Sequence, residues 1–221
     1  MHDKTVMVLS GGLDSTTLLY DLVQKGDEVF PISFDYGQKH SRELLMAKKT
    51  CKSLNLDLKV IDVSSMKDLL KSALTSDIEV PYGHYEEESM KQTVVPNRNM
   101  IFISMAAAYA LSIDANRIAL GVHAGDHAIY PDCRSEFILL AERTINEGNW
   151  TEHLGIYTPY INMSKTEIVK RGLELNVNFS LTQTCYEGKE KACGKCGSCQ
   201  ERLESFKLNN TQDTLEYENH R

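Results

Sequence analysis

No apolar run in the sequence is long enough to span a bilayer. The longest candidate, Met100 to Ile113, is broken by Ser104, Tyr109 and Ser112, short of the roughly 20 apolar residues a spanning helix needs. Membrane contact is therefore not expected. Met1-His2-Asp3-Lys4 offers neither a basic n-region nor an apolar h-region, so a secretory leader is not expected, the thiols should stay reduced, and the cytoplasm is the expected compartment. Positive charge is scarce as well: 24 Lys and Arg stand against 31 Asp and Glu, a net charge of -7. That balance repels a phosphate backbone and argues for a small-molecule substrate over a stable nucleic-acid partner. Neither Gly-x-x-x-x-Gly-Lys-Ser/Thr nor Gly-x-Gly-x-x-Gly occurs, which removes two common phosphate-binding motifs. Internal repeats and a linker-separated second domain are also missing.

What is present is an alternation. Apolar strand candidates at Val6 to Leu9, Val29 to Phe34, Leu58 to Val63 and Ile118 to Val122 are separated by amphipathic helical patterns at Thr16 to Lys25, Arg42 to Leu54 and Asn99 to Ile113. The expected fold class is α/β: a parallel sheet, too apolar to face water, with right-handed crossover helices on both faces. In 221 residues, 42% of them hydrophobic, one sizeable core fits. We assign residues 1–180 to this domain, 181–208 to a small cysteine-bearing helical segment and 209–221 to a polar, disordered tail. Between Thr75 and Pro96, around Tyr82-Gly83-His84-Tyr85 and Glu86-Glu87-Glu88, the pattern lapses into a long loop, either a lid or a solvated insertion.

Ser10-Gly11-Gly12-Leu13-Asp14-Ser15 lies directly between the first strand and the first helix. Adjacent glycines let a backbone approach a ligand without a Cβ in the way. Free amides at a helix start, with the helix dipole and the hydroxyls of Ser10, Ser15 and Thr16, make an anion site suited to phosphate. The alternative is an ordinary turn capped by Asp14 or Ser15.

Cys185, Cys193, Cys196 and Cys199 follow the pattern Cys-x7-Cys-x2-Cys-x2-Cys. Four thiolates close a tetrahedron, the coordination zinc prefers, and leave no open position, so a structural zinc is expected. Disulfides and an iron–sulfur cluster are the alternatives. Such a zinc contributes folding free energy, about 10–16 kcal/mol in small peptides. Cys51 sits within a helical pattern as a small core residue; Cys133, among charged neighbours, is either packed or a reactive thiol.

Ser10 to Ser15 resembles the SGGxDS pyrophosphate loop of the N-type ATP pyrophosphatases, which split ATP to AMP and pyrophosphate while adenylating a substrate. With Phe34-Asp35-Tyr36-Gly37-Gln38, Val95-Pro96-Asn97-Arg98-Asn99, Tyr130-Pro131-Asp132-Cys133-Arg134 and the four cysteines, in that order, the chain resembles the 7-cyano-7-deazaguanine synthase family of the queuosine pathway. It departs from that pattern at Ser135, where proline often stands, and at Thr182-Gln183-Thr184, where a tryptophan is common. The resemblance implies an ATP-dependent ligase, dimeric, that converts 7-carboxy-7-deazaguanine and ammonia to a nitrile through an amide, with magnesium assisting ATP.

On that reading Leu9, Ser10, Gly11, Gly12, Leu13, Asp14 and Ser15 up to the helix, and Thr16, Thr17, Leu18 and Leu19 within it, hold ATP, with Ser10, Gly11, Gly12 and Ser15 on its pyrophosphate. Asp14 either helps place magnesium or caps the helix. Lys165 either neutralises transition-state phosphate charge or is a surface lysine behind a Ser-x-x-Glu capping box. Arg98 reaches phosphate or base, or pairs at the surface. Asp132 accepts from the guanine-like edge and Arg134 pairs with the substrate carboxylate, unless both merely shape a turn. His123, Asp126 and His127 are the general-base candidates. Two other functions compete: a tRNA thiolase of the same superfamily, and a zinc-knuckle binding module on an inert scaffold.

Overall fold

Five short segments pair in parallel: β1 (Lys4–Val8), β2 (Glu28–Asp35), β3 (Lys59–Asp62), β4 (Arg117–Ala119) and β5 (Gly155–Tyr157), in the spatial order β3-β2-β1-β4-β5. A computed structural model describes residues 2–218 apart from 77, 80, 83, 84, 86, 87, 151 and 152. Successive side chains of a strand point to opposite faces. Val6 therefore enters a core with Phe34, Ile103 and Ala106, and Met7 enters another with Leu18, Leu22 and Ile168. Helices α3 (Arg98–Ser112) and α4 (Ser135–Glu147) cover the first face; α1 (Leu13–Lys25), α2 (Arg42–Ser53), α5 (Lys165–Glu174) and α6 (Gly197–Leu208) cover the second. Leu13, Leu18, Leu19 and Leu22 of α1 are fully buried, each stabilising the packing by about 1.5–3 kcal/mol. No helix among the described residues is long and apolar enough to cross a membrane.

The expected parallel sheet with helices on both faces is thus present, with differences that have physical causes. Helix α1 begins at Leu13 rather than Thr16, so the glycine turn runs straight into its first turn. Strand β4 stops at Ala119, because Gly121 must approach the backbone of Ser15 so closely that an added Cβ would lie 3.0 Å from its nitrogen. Lys59 and Asp62 of β3 are exposed and Val60 is more than a third exposed: an edge strand carries charge where a central one does not. Neither α4 nor β5 stood out in the sequence. The loop expected over 75–96 contains a 3-10 turn at Glu88–Thr93 and a bridge from Tyr82 to Cys196. Gly83, His84, Glu86 and Glu87 lie outside the described residues.

Past residue 180, Cys185, Ala192, Cys193, Cys196 and Cys199 form a small buried cluster of their own, while α6 also reaches back into the second core. Phe206 of α6 packs edge-on against Phe179, with ring centroids 5.0 Å apart, inside the second core. Residues 209–218, expected as a disordered tail, return to the fold. Arg202, fully buried, is paired by Asp213 through two contacts of 2.6 and 2.8 Å, Tyr217 donates to the same carboxylate at 2.6 Å, and Ala192 bridges to Tyr217. A polar stretch is ordered here because a buried guanidinium requires a counter-charge.

Removing that counter-charge leaves an unpaired buried cation. Asp213→Ala is expected to destabilise the fold by about 3 kcal/mol, read as a lower urea midpoint; an unchanged midpoint would show that this pairing contributes nothing.

Candidate active site

In a sheet of this order, the strand direction of winding reverses between β1 and β4, and ligands bind beyond the carboxyl ends of the strands at that point. A cavity of about 240 Å³ lies there, lined by Leu9, Ser10, Gly12, Asp14 and Ser15 from the first turn and by Leu120, Gly121 and Asp126 after β4. Gly12, the residue before α1, has extended angles and the helix has no side-chain cap. Its first amides therefore keep their donors for a ligand. Ser10 and Ser15 hold each other through their hydroxyls at 2.9 Å, and Ser10 Oγ accepts from the Gly12 amide at 3.1 Å. Gly11 has φ +90°, and a Cβ there would collide with the Glu43 carbonyl. The two glycines thus do different work: Gly11 lets α2 pack on the turn, and Gly12 faces the cavity. Thr17, Leu18 and Leu19, included in the expected ATP window, are buried behind the turn, with Thr17 Oγ1 donating to the Leu13 carbonyl.

Lys165 begins α5 behind a complete Ser164–Glu167 capping box, yet it is no surface lysine. It is 8% exposed, and its Nζ stands 2.5 Å from Asp14 Oδ2 and 3.6 Å from Glu201 Oε2. Burial works against its charge, but Asp14, Glu201 and Asp126 outweigh it and hold the ammonium protonated. Burial likewise works against the Asp14 carboxylate, and Lys165 and His123 outweigh it, keeping its pKa below the ordinary value. Burial raises the pKa of Glu201 despite the nearby Lys165 ammonium. Asp14 Oδ1 is buried and accepts no hydrogen bond among the described residues.

Of the three base candidates only Asp126 lines the cavity. His123 is fully buried, and its Nδ1 accepts from the Gly125 amide at 3.1 Å. That bond puts the ring proton on Nε2, 3.5 Å from Asp126 Oδ2, so the imidazole has no lone pair left for a substrate proton. His127 is outside the lining, and its carbonyl accepts from Arg134 Nε at 2.9 Å. Arg134 is exposed and turned from the cavity. Asp132 is committed to α3: its Oδ2 accepts from the Asn99 amide at 3.1 Å and its carbonyl from Asn99 Nδ2 at 3.0 Å. It caps a helix start whose N-cap, Asn97, is left-handed and makes no side-chain cap. Arg98 does line the cavity, 3.4 Å from the Tyr36 hydroxyl, with no ion pair among the described residues. Cys133 also lines it, but burial pushes its thiol well above the usual range, which opposes reactivity. The far wall is aromatic, with Phe34 stacked on Phe102 at 4.2 Å beside Tyr36.

Ser198 and Glu201 were not among the expected site residues, although both line the cavity. They arrive on α6, which starts immediately after Cys196. The four thiols Cys185, Cys193, Cys196 and Cys199 are buried, form no disulfide, and lie within 4.8 Å of one another. A tetrahedral metal with arms of about 2.3 Å has edges of roughly 3.8 Å, and Cys193 and Cys199 sulfurs are already 4.0 Å apart. Backbone amides of Cys193 and Cys196 donate to sulfurs at 3.3 Å, favouring thiolates. The donor set fits a metal ion, and the disulfide alternative is not taken.

Residues 4–210 match the family model described as queuosine biosynthesis protein QueC. The chain belongs to the QueC family. A 7-cyano-7-deazaguanine synthase of Pseudoalteromonas translucida is 50% identical over 99% of this chain and 100% of its own length, and one of Caldicellulosiruptor bescii is 53% identical over 97% of each. Among solved structures, the NMN synthetase of Francisella tularensis shares the fold at a TM-score of 0.54, 14% identity, covering 96% of this chain and 79% of its own. Within this QueC chain, the departure at Thr182-Gln183-Thr184 lies against the glycine turn, where the Gln183 amide donates to the Gly11 carbonyl at 2.9 Å. That contact is made by backbone and does not depend on the side chain. Ser135, the other departure, is exposed at the start of α4.

The two glycines should separate by mutation. Gly12→Ala is expected to stay folded yet lose exchange of labelled pyrophosphate into ATP, since its φ is ordinary but its Cβ, 3.2 Å from Ser10 Oγ, would displace the hydroxyl that shapes the turn; full exchange would refute this. Gly11→Ala is expected to lower the melting temperature instead. Cys196→Ala is expected to release bound metal and destabilise α6, and an unchanged metal content and melting curve would contradict it.

Proposed function

We propose that this chain makes 7-cyano-7-deazaguanine from 7-carboxy-7-deazaguanine and ammonia, adenylating its substrate twice. Family membership supports the reaction class. The observation that carries the site is the uncapped start of α1 facing a cavity with Lys165 and Asp14 at its mouth. A carboxylate is a poor electrophile because its charge is delocalised. Attack of its oxygen on the α-phosphorus of ATP releases pyrophosphate and gives an acyl adenylate; ammonia then displaces AMP and, after losing a proton, leaves the amide. Adenylation of the amide oxygen costs a second ATP and one proton. Loss of AMP and one more proton leaves the carbon–nitrogen triple bond.

In this reading the amides of the first turn of α1, with Ser10 and Ser15, bind the pyrophosphate. Lys165 is drawn from Asp14 toward the charge that develops on the departing oxygens. Asp14, whose Oδ1 has no partner, fits one ligand position of a magnesium ion, which would neutralise phosphate charge when bound. Arg98, charged and free of a carboxylate, suits the substrate's anionic group. Asp126, the candidate base that lines the cavity, suits the proton removals. Zinc is the metal proposed for the four cysteines, with a homodimer in the cytoplasm as the working form.

Purified protein with ATP, magnesium, ammonium and 7-carboxy-7-deazaguanine is expected to yield AMP, the amide and then the nitrile by mass spectrometry. Absence of both products from folded, zinc-loaded protein would overturn the assignment. Lys165→Met is expected to lower kcat by at least 100-fold, the scale of one lost electrostatic stabiliser, while the protein stays folded; an unchanged kcat would remove Lys165 from the mechanism.

A further inference from the structure

The segment Phe34-Asp35-Tyr36-Gly37-Gln38 has so far supplied only an aromatic wall, and its hydrogen bonds point to a second task. Gln38 is 4% exposed. Its Oε1 accepts from the Tyr36 amide at 2.9 Å, and its Nε2 donates to the Phe34 carbonyl at 3.2 Å and to Glu43 Oε1 at 3.4 Å. His40 Nε2 approaches that same oxygen at 3.3 Å. Both contacts fall on Oε1. Glu43 Oε2 accepts no hydrogen bond among the described residues, although the residue is only 9% exposed and lines the cavity. That oxygen is not among the enclosed polar atoms without a partner, so it keeps its acceptor capacity open to the cavity, where a ligand donor can take the place of water. The backbone of Glu43 is fixed as well, since its carbonyl packs on Gly11.

The same cavity wall carries aromatic faces and the Arg98 guanidinium. Tyr36 lies edge-on to His40 with ring centroids 6.5 Å apart, and its hydroxyl is 3.4 Å from Arg98 Nη1. Tyr36 thus stands between His40, which contacts Glu43, and the Arg98 guanidinium, beside the Phe34–Phe102 stack. A 2-amino-4-oxopyrimidine edge carries adjacent ring N–H and amino donors and then a carbonyl acceptor. An adenine edge presents a ring nitrogen lone pair where the first has N–H, and a carboxylate repels it. Asp132, the residue expected to take those donors, gives one carboxylate oxygen to the Asn99 amide and lies outside the cavity lining.

We propose that Glu43, positioned by Gln38 and His40, accepts the ring N–H and the 2-amino group of the deazaguanine carboxylate and so sets the specificity of the enzyme. This rests on the activity proposed above. Hydrogen bonds to a charged group contribute about 1.5–3 kcal/mol, roughly 10- to 100-fold.

The test compares kcat/KM for 7-carboxy-7-deazaguanine and for its analogue lacking the 2-amino group, in the wild type and in Glu43→Gln, with ATP affinity measured by calorimetry. Wild-type protein is expected to prefer the 2-amino substrate by roughly 10- to 100-fold. Glu43→Gln is expected to reduce that preference to a few-fold, chiefly through KM, with ATP affinity unchanged. No wild-type turnover of the 2-amino substrate overturns the activity itself. With turnover present, equal efficiency on both compounds overturns the role of Glu43 alone, and that outcome needs no variant. Retained preference in a folded Glu43→Gln, or loss of ATP affinity in its place, overturns it also, the latter by assigning Glu43 to adenine.

Discussion

Moving an ammonium from water into a protein interior is unfavourable by several kcal/mol unless carboxylates accompany it. Lys165 meets that requirement through Asp14 and Glu201. Asp14 is on the first turn of α1, Lys165 opens α5, and Glu201 comes from α6. One buried charge therefore ties the phosphate turn to the two helices that follow the sheet. The same charge keeps Asp14 ionised against its own burial. A ligand anion reaching the turn competes with Asp14 for the lysine, so the pair is both a structural joint and a store of positive charge beside the place where phosphate would sit.

The cysteine segment extends this joint. Cys196 and Cys199 stand at the start of α6, and Glu201 follows within the same turn. Whatever fixes the four sulfurs also fixes the direction of Glu201 into the cavity. Arg202, the next residue, points the opposite way into the fold, where Asp213 neutralises it. Neighbouring helical residues about 100° apart thus serve the site on one side and the C-terminal segment on the other. The cysteine segment is part of the cavity wall, because it sets the start of the helix that carries Ser198 and Glu201.

Much of the fold was legible because its signals are local. The strand, glycine turn and helix around Ser10 to Ser15, the parallel alternation and the four-cysteine spacing all follow from short stretches of chain. Strand β5, only three residues long, and α4 carried no comparable signal. Site residues were legible in proportion to their nearness to those stretches. Ser10, Gly12, Asp14 and Ser15 line the cavity, and Arg98 and Asp126 join them. Asp132 and Arg134 looked suited to a ligand by charge, but a helix start and a carbonyl had already claimed them. Lys165 stood between a charge-stabilising role and a surface position behind a capping box, and the box exists without deciding where the lysine points.

By itself the sequence determined the class of fold, the glycine turn between the first strand and the first helix, the four-cysteine spacing and the resemblance to its family, since each depends on residue types at fixed short separations. Tertiary structure alone decided which polar groups remain free. Asp14 and Lys165 are 151 residues apart in the chain, and whether Asp132, Glu43 or Glu201 faces the cavity depends on which partner each meets after packing. A free hydrogen-bonding capacity is what remains when all other contacts are made, and those contacts are between residues distant in sequence.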